Sequence, residues 1–128
     1  IRDDFEKKLF RYFIKQDKPI IGICRGFQNI VSFYGIKLFK VKDHVRTSHH
    51  IKINNSRFIK SKSLNVNSYH KYAVKSLPKN YSAVSKLRDG TIEIAEHKTK
   101  NILCLMFHPE RKMLSQRKIT QVLKNFIK

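Results

Sequence analysis

Near its start the chain places an apolar residue every four positions. Phe5, Leu9, Phe10, Phe13 and Ile14 fall on one face, and the spacing predicts an amphipathic helix over 3–16. Asp3 and Glu6 have the spacing of a capping pair at its start, and Lys18-Pro19 closes it, because proline disfavours helix at the residue before it. Residues 20–23 then give a β-branched run around one glycine with no polar alternation, the pattern of a strand buried on both faces. A second helix over 26–34 ends at Gly35. Beyond it the texture shortens. Residues 37–41, 51–53, 64–66 and 72–74 are strand candidates. Residues 81–87 and 91–95 flank Arg88-Asp89-Gly90, a hairpin signal, since glycine accepts the positive φ of the turn. Residues 102–107 form another buried strand. The closing helix over 116–127 has an apolar face of Ile119, Val122, Leu123, Phe126 and Ile127, and Ser115 is placed to cap it.

Helix, strand, tight turn and helix make the rhythm of an α/β fold with a mostly parallel central sheet flanked by helices. The 128 residues, 41% of them hydrophobic, suit a single domain over 1–128 with a real core. The chain opens on Ile1 and enters a helix at once, so it reads as a piece of a longer chain whose sheet is incomplete on its N-terminal side.

Charge adds a preference for anions. Lys and Arg number 28 against 9 acidic residues, a formal net charge of +19. The lysines are scattered without a dense run or aromatic interleaving, which argues against specific nucleic-acid binding and fits a phosphate-bearing small substrate better. The two cysteines, Cys24 and Cys104, have no C-x-x-C spacing, which argues against a disulfide scaffold and fits a reducing cytoplasm better. No apolar run reaches membrane-spanning length, so no membrane partner is expected.

The chemistry concentrates in two places. Gly22-Ile23-Cys24-Arg25-Gly26-Phe27-Gln28 sets a thiol on a sharp strand-to-helix bend. There the sulfur is exposed, the positive end of the helix stabilises its thiolate, and the backbone N–H of Arg25 can face a developing oxyanion. Small residues at 22 and 26 are expected to relieve crowding at the bend. The second place is His108-Pro109-Glu110, directly after the 102–107 strand. If that strand runs parallel to 20–23, His108 reaches the thiol as general acid and base, and Glu110 holds its tautomer. His44, His49, His50 and His70 match no zinc spacing, so no metal is expected, and Cys104 reads as a core residue.

Together these motifs resemble the class I glutamine amidotransferase-like superfamily. The G-x-C-x-G-x-Q elbow at 22–28 and the H-P-E at 108–110 match its catalytic motifs. Val66-Asn67-Ser68-Tyr69-His70 is similar to the V-N-S-x-H segment of its γ-glutamyl hydrolase branch (peptidase C26-like), as is His44-Val45-Arg46 followed by Ser48-His49-His50-Ile51. The resemblance implies a flavodoxin-like fold and a cysteine-dependent hydrolase that cleaves a γ-glutamyl amide or amidate bond through a glutamyl thioester, without a cofactor. It implies Cys24 as nucleophile, His108 as acid/base and Glu110 as its orienting partner. Arg25 contributes an oxyanion N–H, and Gln28, Ser68, Tyr69 and His70 meet the substrate. A more specific likeness is to hydrolases of γ-glutamyl-CDP-amidate used in making capsular phosphoramidate. Two alternatives stand beside it: a glutaminase subunit feeding ammonia to a partner synthetase, and a truncated non-catalytic remnant. The family's glycine-rich loop, which supplies a second oxyanion N–H, has no match here, so the chain alone is expected to be short of one donor.

Overall fold

The computed structural model describes residues 2–41 and 45–128. His44 lies outside them, as do the side chains of Asp3, Val45 and Arg46, and with them the expected capping pair and part of the second resemblance segment. The elements run α1 (Arg2–Lys15), β1 (Ile20–Ile23), α2 (Arg25–Phe33), β2 (Phe39–Lys40), β3 (Val45–Lys52), β4 (Ser63–Tyr69), β5 (Tyr72–Ala73), β6 (Tyr81–Lys86), β7 (Ile92–His97), β8 (Ile102–Leu105) and α3 (Gln116–Phe126). Among the described residues no helix is long and apolar enough to cross a membrane.

The fold is α/β. Its main sheet has the order β1-β8-β7-β6, with two small ribbons, β2-β5 and β3-β4, beside it. β1 and β8 pair in parallel, Ile20 opposite Ile102 through Ile23 opposite Leu105. β7 is antiparallel to both β8 and β6, so the sheet is mixed, with one parallel pair rather than a mostly parallel set. The reason is connection length. Residues 87–91 and 98–101 are too short for a crossover and force each strand to reverse. Gly90, at φ 92°, takes the left-handed place in the first of these turns.

Both faces of the sheet are covered, which is why β8 reads as a continuous apolar run. Ile102, Cys104 and Met106 join Phe27, Ile30 and Val31 of α2 on one face. Leu103, Leu105 and Phe107 join Ile119 and Phe126 of α3, with Leu64 and Val66 of β4, on the other. Ser115 precedes α3 as expected but makes no side-chain cap. Its hydroxyl instead accepts the backbone N–H of Asn65 at 2.8 Å, tying the entry of α3 to β4. α1 packs on α2 through the edge-to-face rings of Phe10 and Phe33, centroids 5.6 Å apart.

One glycine is fixed by close approach. A Cβ on Gly22 would lie 2.8 Å from Ile30 Cδ1 and 3.1 Å from the backbone nitrogen of Phe27, inside ordinary contact distance. α2 can fold back over β1 only because nothing projects there. Gly26 differs from the expectation: a Cβ there meets nothing within 4 Å, so the bend is crowded on one side only. Gly22→Ala is expected to lower stability by about 1–3 kcal/mol, because the first turn of α2 must shift to admit the methyl group. Thermal unfolding checks this; an unchanged melting temperature would contradict the close approach.

Candidate active site

Cys24 is the residue between β1 and α2. Its backbone has φ 50° and ψ −98°, a conformation that non-glycine residues seldom adopt and that costs on the order of 1–3 kcal/mol. Two main-chain bonds hold it. Its N–H donates to Leu105 O at 2.7 Å, prolonging the β1–β8 pairing by one residue, and its carbonyl accepts Gln28 N–H at 3.0 Å in the first turn of α2. The residue is buried, with 9% of its surface exposed, and it packs in the core cluster with Phe27 and Met106, against the expectation of an exposed thiol. Burial pushes the thiol pKa up. The Arg25 backbone N–H pulls it down, the charges of Glu110 and Glu93 push it further up, and Arg111 opposes them. The net direction is upward. The expected stabilisation of the thiolate by the helix start is present through Arg25 but is outweighed by desolvation.

His108 stands three residues past Leu105, at the same end of the sheet, because β1 and β8 are parallel. Its Nδ1 lies 2.8 Å from Glu110 Oε2. A carboxylate only accepts, so Nδ1 carries the hydrogen and Nε2 of the neutral ring is left with a lone pair. Burial pushes the Glu110 carboxyl up, but the hydrogen bonds from His108 and from its own backbone, with the charges of His108 and Arg111, hold it below the usual range. It therefore stays an acceptor throughout the neutral pH range.

Asn67, which draws no role of its own from the sequence, holds the main chain of His108. Its Oδ1 accepts His108 N–H at 2.8 Å and its Nδ2 donates to His108 O at 2.8 Å. Such two-point pairing fixes a loop residue as firmly as a strand partner would. On the same face of β4, the Tyr69 ring meets the His108 ring edge-to-face at 6.0 Å, and the Arg111 guanidinium lies 4.4 Å over Tyr69. The one signal for Asn67 in the sequence is alternation: Asn65, Asn67 and Tyr69 share the polar side of a strand whose Leu64 and Val66 enter the core.

The remaining expected residues divide. Gln28 is half-buried, and its Nε2 donates to Tyr72 O at 3.1 Å. The Arg25 side chain is exposed, and its backbone N–H bonds toward the Cys24 sulfur. Tyr69 lies beside His108. Ser68 is fully buried, backbone and side chain alike. The His70 side chain is also fully buried, between Tyr72 O and Glu93, where it meets other residues of the protein in place of solvent. Cys104 is buried in the core and its thiol is raised far above the usual range by burial alone. Among the described residues no group of three or more His, Cys, Asp or Glu is arranged to hold a metal ion.

A thiol with a main-chain N–H at its sulfur, and at the same end of the sheet an imidazole with one nitrogen held by a carboxylate, are the parts for nucleophilic attack on a carbonyl and for proton transfer to a leaving group. A cleft of about 420 Å³ opens next to this arrangement, walled by Asn67, Tyr69, Ser48, His50 and Lys112.

Comparison with known proteins bears on this geometry. The chain is 30% identical to the γ-glutamyl-CDP-amidate hydrolase of Campylobacter jejuni over 110 residues, covering 86% of this chain and 52% of that protein. It is 33% identical to a glutamine-hydrolysing GMP synthase subunit of Methanosphaera stadtmanae over 100 residues, covering 76% of this chain and 54% of that one. The chain thus spans about half the length of these relatives. A crystal structure of a glutamine amidotransferase from Thermotoga maritima superposes with a TM-score of 0.74 at 18% identity, over 95% of this chain and 54% of that one, and so shares the fold. Residues 1–110 match the family model for Peptidase C26, and the chain belongs to that family.

Proposed function

We propose that the protein is a hydrolase of γ-glutamyl amide or amidate bonds that works through a thioester on Cys24. His108 Nε2 takes the thiol proton as the sulfur attacks the side-chain carbonyl, and the oxyanion forms against the Arg25 N–H. The C–N bond then breaks as His108 returns the proton to the leaving nitrogen. A water molecule, deprotonated by the same imidazole, cleaves the thioester, releases glutamate and restores the thiol. Glu110 keeps the hydrogen on Nδ1 throughout. No metal or organic cofactor enters these steps. The observation that carries the reading is the parallel pairing of β1 with β8, extended by Cys24 N–H to Leu105 O, which sets the thiol and His108 at one end of one sheet.

Within that class we favour a phosphorylated leaving group, as in γ-glutamyl-CDP-amidate. The support is the similarity to the hydrolase of that compound and the nearby cations: Lys112 lines the 420 Å³ cleft, and Arg111 lies over the ring of Tyr69, another of its lining residues. The similarity to a GMP synthase subunit favours a second reading, a glutaminase that passes ammonia to a partner synthetase. Stimulation of glutaminase activity by a co-purifying protein would select it. A reducing, cytoplasmic setting fits two cysteines that are both unpaired.

The test is mass spectrometry after treatment with a glutamine-shaped diazo ketone. One adduct on Cys24 is expected. Labelling on Cys104 instead, or none on a folded protein, overturns the assignment and leaves the non-catalytic remnant.

A further inference from the structure

The 420 Å³ cleft lies against His108 through two residues. Asn67 lines it and grips the main chain of His108, and Tyr69 lines it and sets its ring edge-to-face on the imidazole at 6.0 Å. In the mechanism above His108 returns a proton to the leaving nitrogen, so the leaving group departs on the side of that imidazole. The cleft is the space beside it.

The lining decides what such a space can hold. One wall is the β3–β4 ribbon, where Leu64 enters the core while Ser48 stands opposite Asn67 and His50 opposite Asn65. Lys112, in the stretch between β8 and α3, lines it as well. Among the described residues of the lining none is acidic. The polar groups are hydroxyls, amides, imidazoles and one ammonium. Ammonia as leaving group would use little of this volume. A protonated amine would meet Lys112 with no carboxylate in the lining to offset the repulsion. A group with negative charge and several acceptor oxygens fits, and a phosphoryl group has both.

His50 has the geometry to read such a group. Its ring is exposed on the cleft, and Nδ1 is 2.9 Å from Asn65 Oδ1. An amide oxygen only accepts, so Nδ1 carries a hydrogen and the ring is oriented by its cross-strand neighbour. Nε2 is the nitrogen left to meet a ligand. It donates when the ring is an imidazolium, the form that an adjacent anion favours. The other titratable groups of the lining are Lys112, Tyr69 and His49, and the ammonium of Lys112 attracts the same anion.

We propose that this cleft is the leaving-group subsite, that it takes a phosphoryl group, and that His50 Nε2 and the Lys112 ammonium hold the phosphoryl oxygens. The inference rests on the γ-glutamyl reading of the site. His50 touches no reacting atom; it selects among γ-glutamyl substrates by the group that leaves.

The experiment has two arms. In the first, inorganic pyrophosphate is titrated into the protein at fixed ionic strength while the His50 ring is followed by nitrogen-15 spectra. A saturable change at His50, with hydrogen gained at Nε2 and half-saturation raised about tenfold in Lys112→Ala, is expected. Changes spread over surface lysines that bypass His50 overturn the proposal, since a net charge of +19 alone produces them. In the second arm, kcat/KM is measured for a γ-glutamyl phosphoramidate and for glutamine. His50→Ala should lower the ratio of the two about tenfold, and His50→Ala with Lys112→Ala about a hundredfold. Both side chains are exposed, so their removal leaves the core intact. An unchanged ratio, or equal losses on both substrates, overturns the leaving-group assignment even where pyrophosphate binds, because the cleft then serves a free anion. If neither substrate is cleaved, the γ-glutamyl reading itself fails, while the titration still judges whether the cleft holds a phosphoryl group.

Discussion

Cys24→Ala is expected to reduce γ-glutamyl hydrolysis by about four orders of magnitude or more, since removing a nucleophile leaves only binding and oxyanion contacts. The replacement is small, and the strained backbone at this position is held by main-chain bonds to Leu105 and Gln28 that do not involve the sulfur. The fold should therefore survive, and thermal unfolding of the variant should match or exceed that of the unmodified protein. Release of glutamate is the quantity to measure. A variant that folds and still turns over at a tenth of the normal rate would show that the sulfur is not the attacking atom. Cys104→Ala is the control, because that thiol is wholly buried and cannot meet a substrate.

His108→Ala is expected to cost about 10²–10⁴-fold in rate near neutral pH and to change the shape of the pH profile. The sign follows from the thiol. Burial and the nearby carboxylates raise the Cys24 pKa, so the sulfur is protonated at neutral pH and depends on an acceptor for its hydrogen. Without the imidazole, only the fraction already ionised can attack. That fraction grows about tenfold per pH unit until the raised thiol pKa is reached, so the residual rate should climb steeply into the alkaline range. A flat profile, or a variant as fast as the unmodified protein, would mean that the imidazole does not share the thiol's proton. Diazo-ketone labelling at Cys24 should fall with the rate and recover with the same pH dependence.

Much of this is legible in the amino-acid sequence. α1, α2 and α3 follow from a four-residue apolar period, and β1 and β8 from short runs with no polar gap. Both reflect burial, which the order of apolar residues records directly. For β3 the apolar pattern marks only 51–53, yet the strand begins at Val45. Thr47, Ser48, His49 and His50 carry no apolar signal, because their strand pairs only with β4 in a ribbon beside the main sheet. The apolar pattern overstates the parallel character of the sheet, because a strand covered on both faces looks the same whichever way its neighbour runs. Glu93 is the least visible residue. In Ile92-Glu93-Ile94 it reads as the solvent side of an alternating strand, yet β7 is interior and covered on both sides. Asn67 is visible only as part of a motif, since its role depends on a loop forty-one residues away.

Cys24 and the main chain of His108 are each tied down at one end of the sheet, the first by a main-chain bond to Leu105 and the second by the Asn67 amide, which grips both its polar groups. Neither tie uses an exposed side chain. Exchanges among the exposed lysines therefore change the charge around the two residues and leave both ties in place.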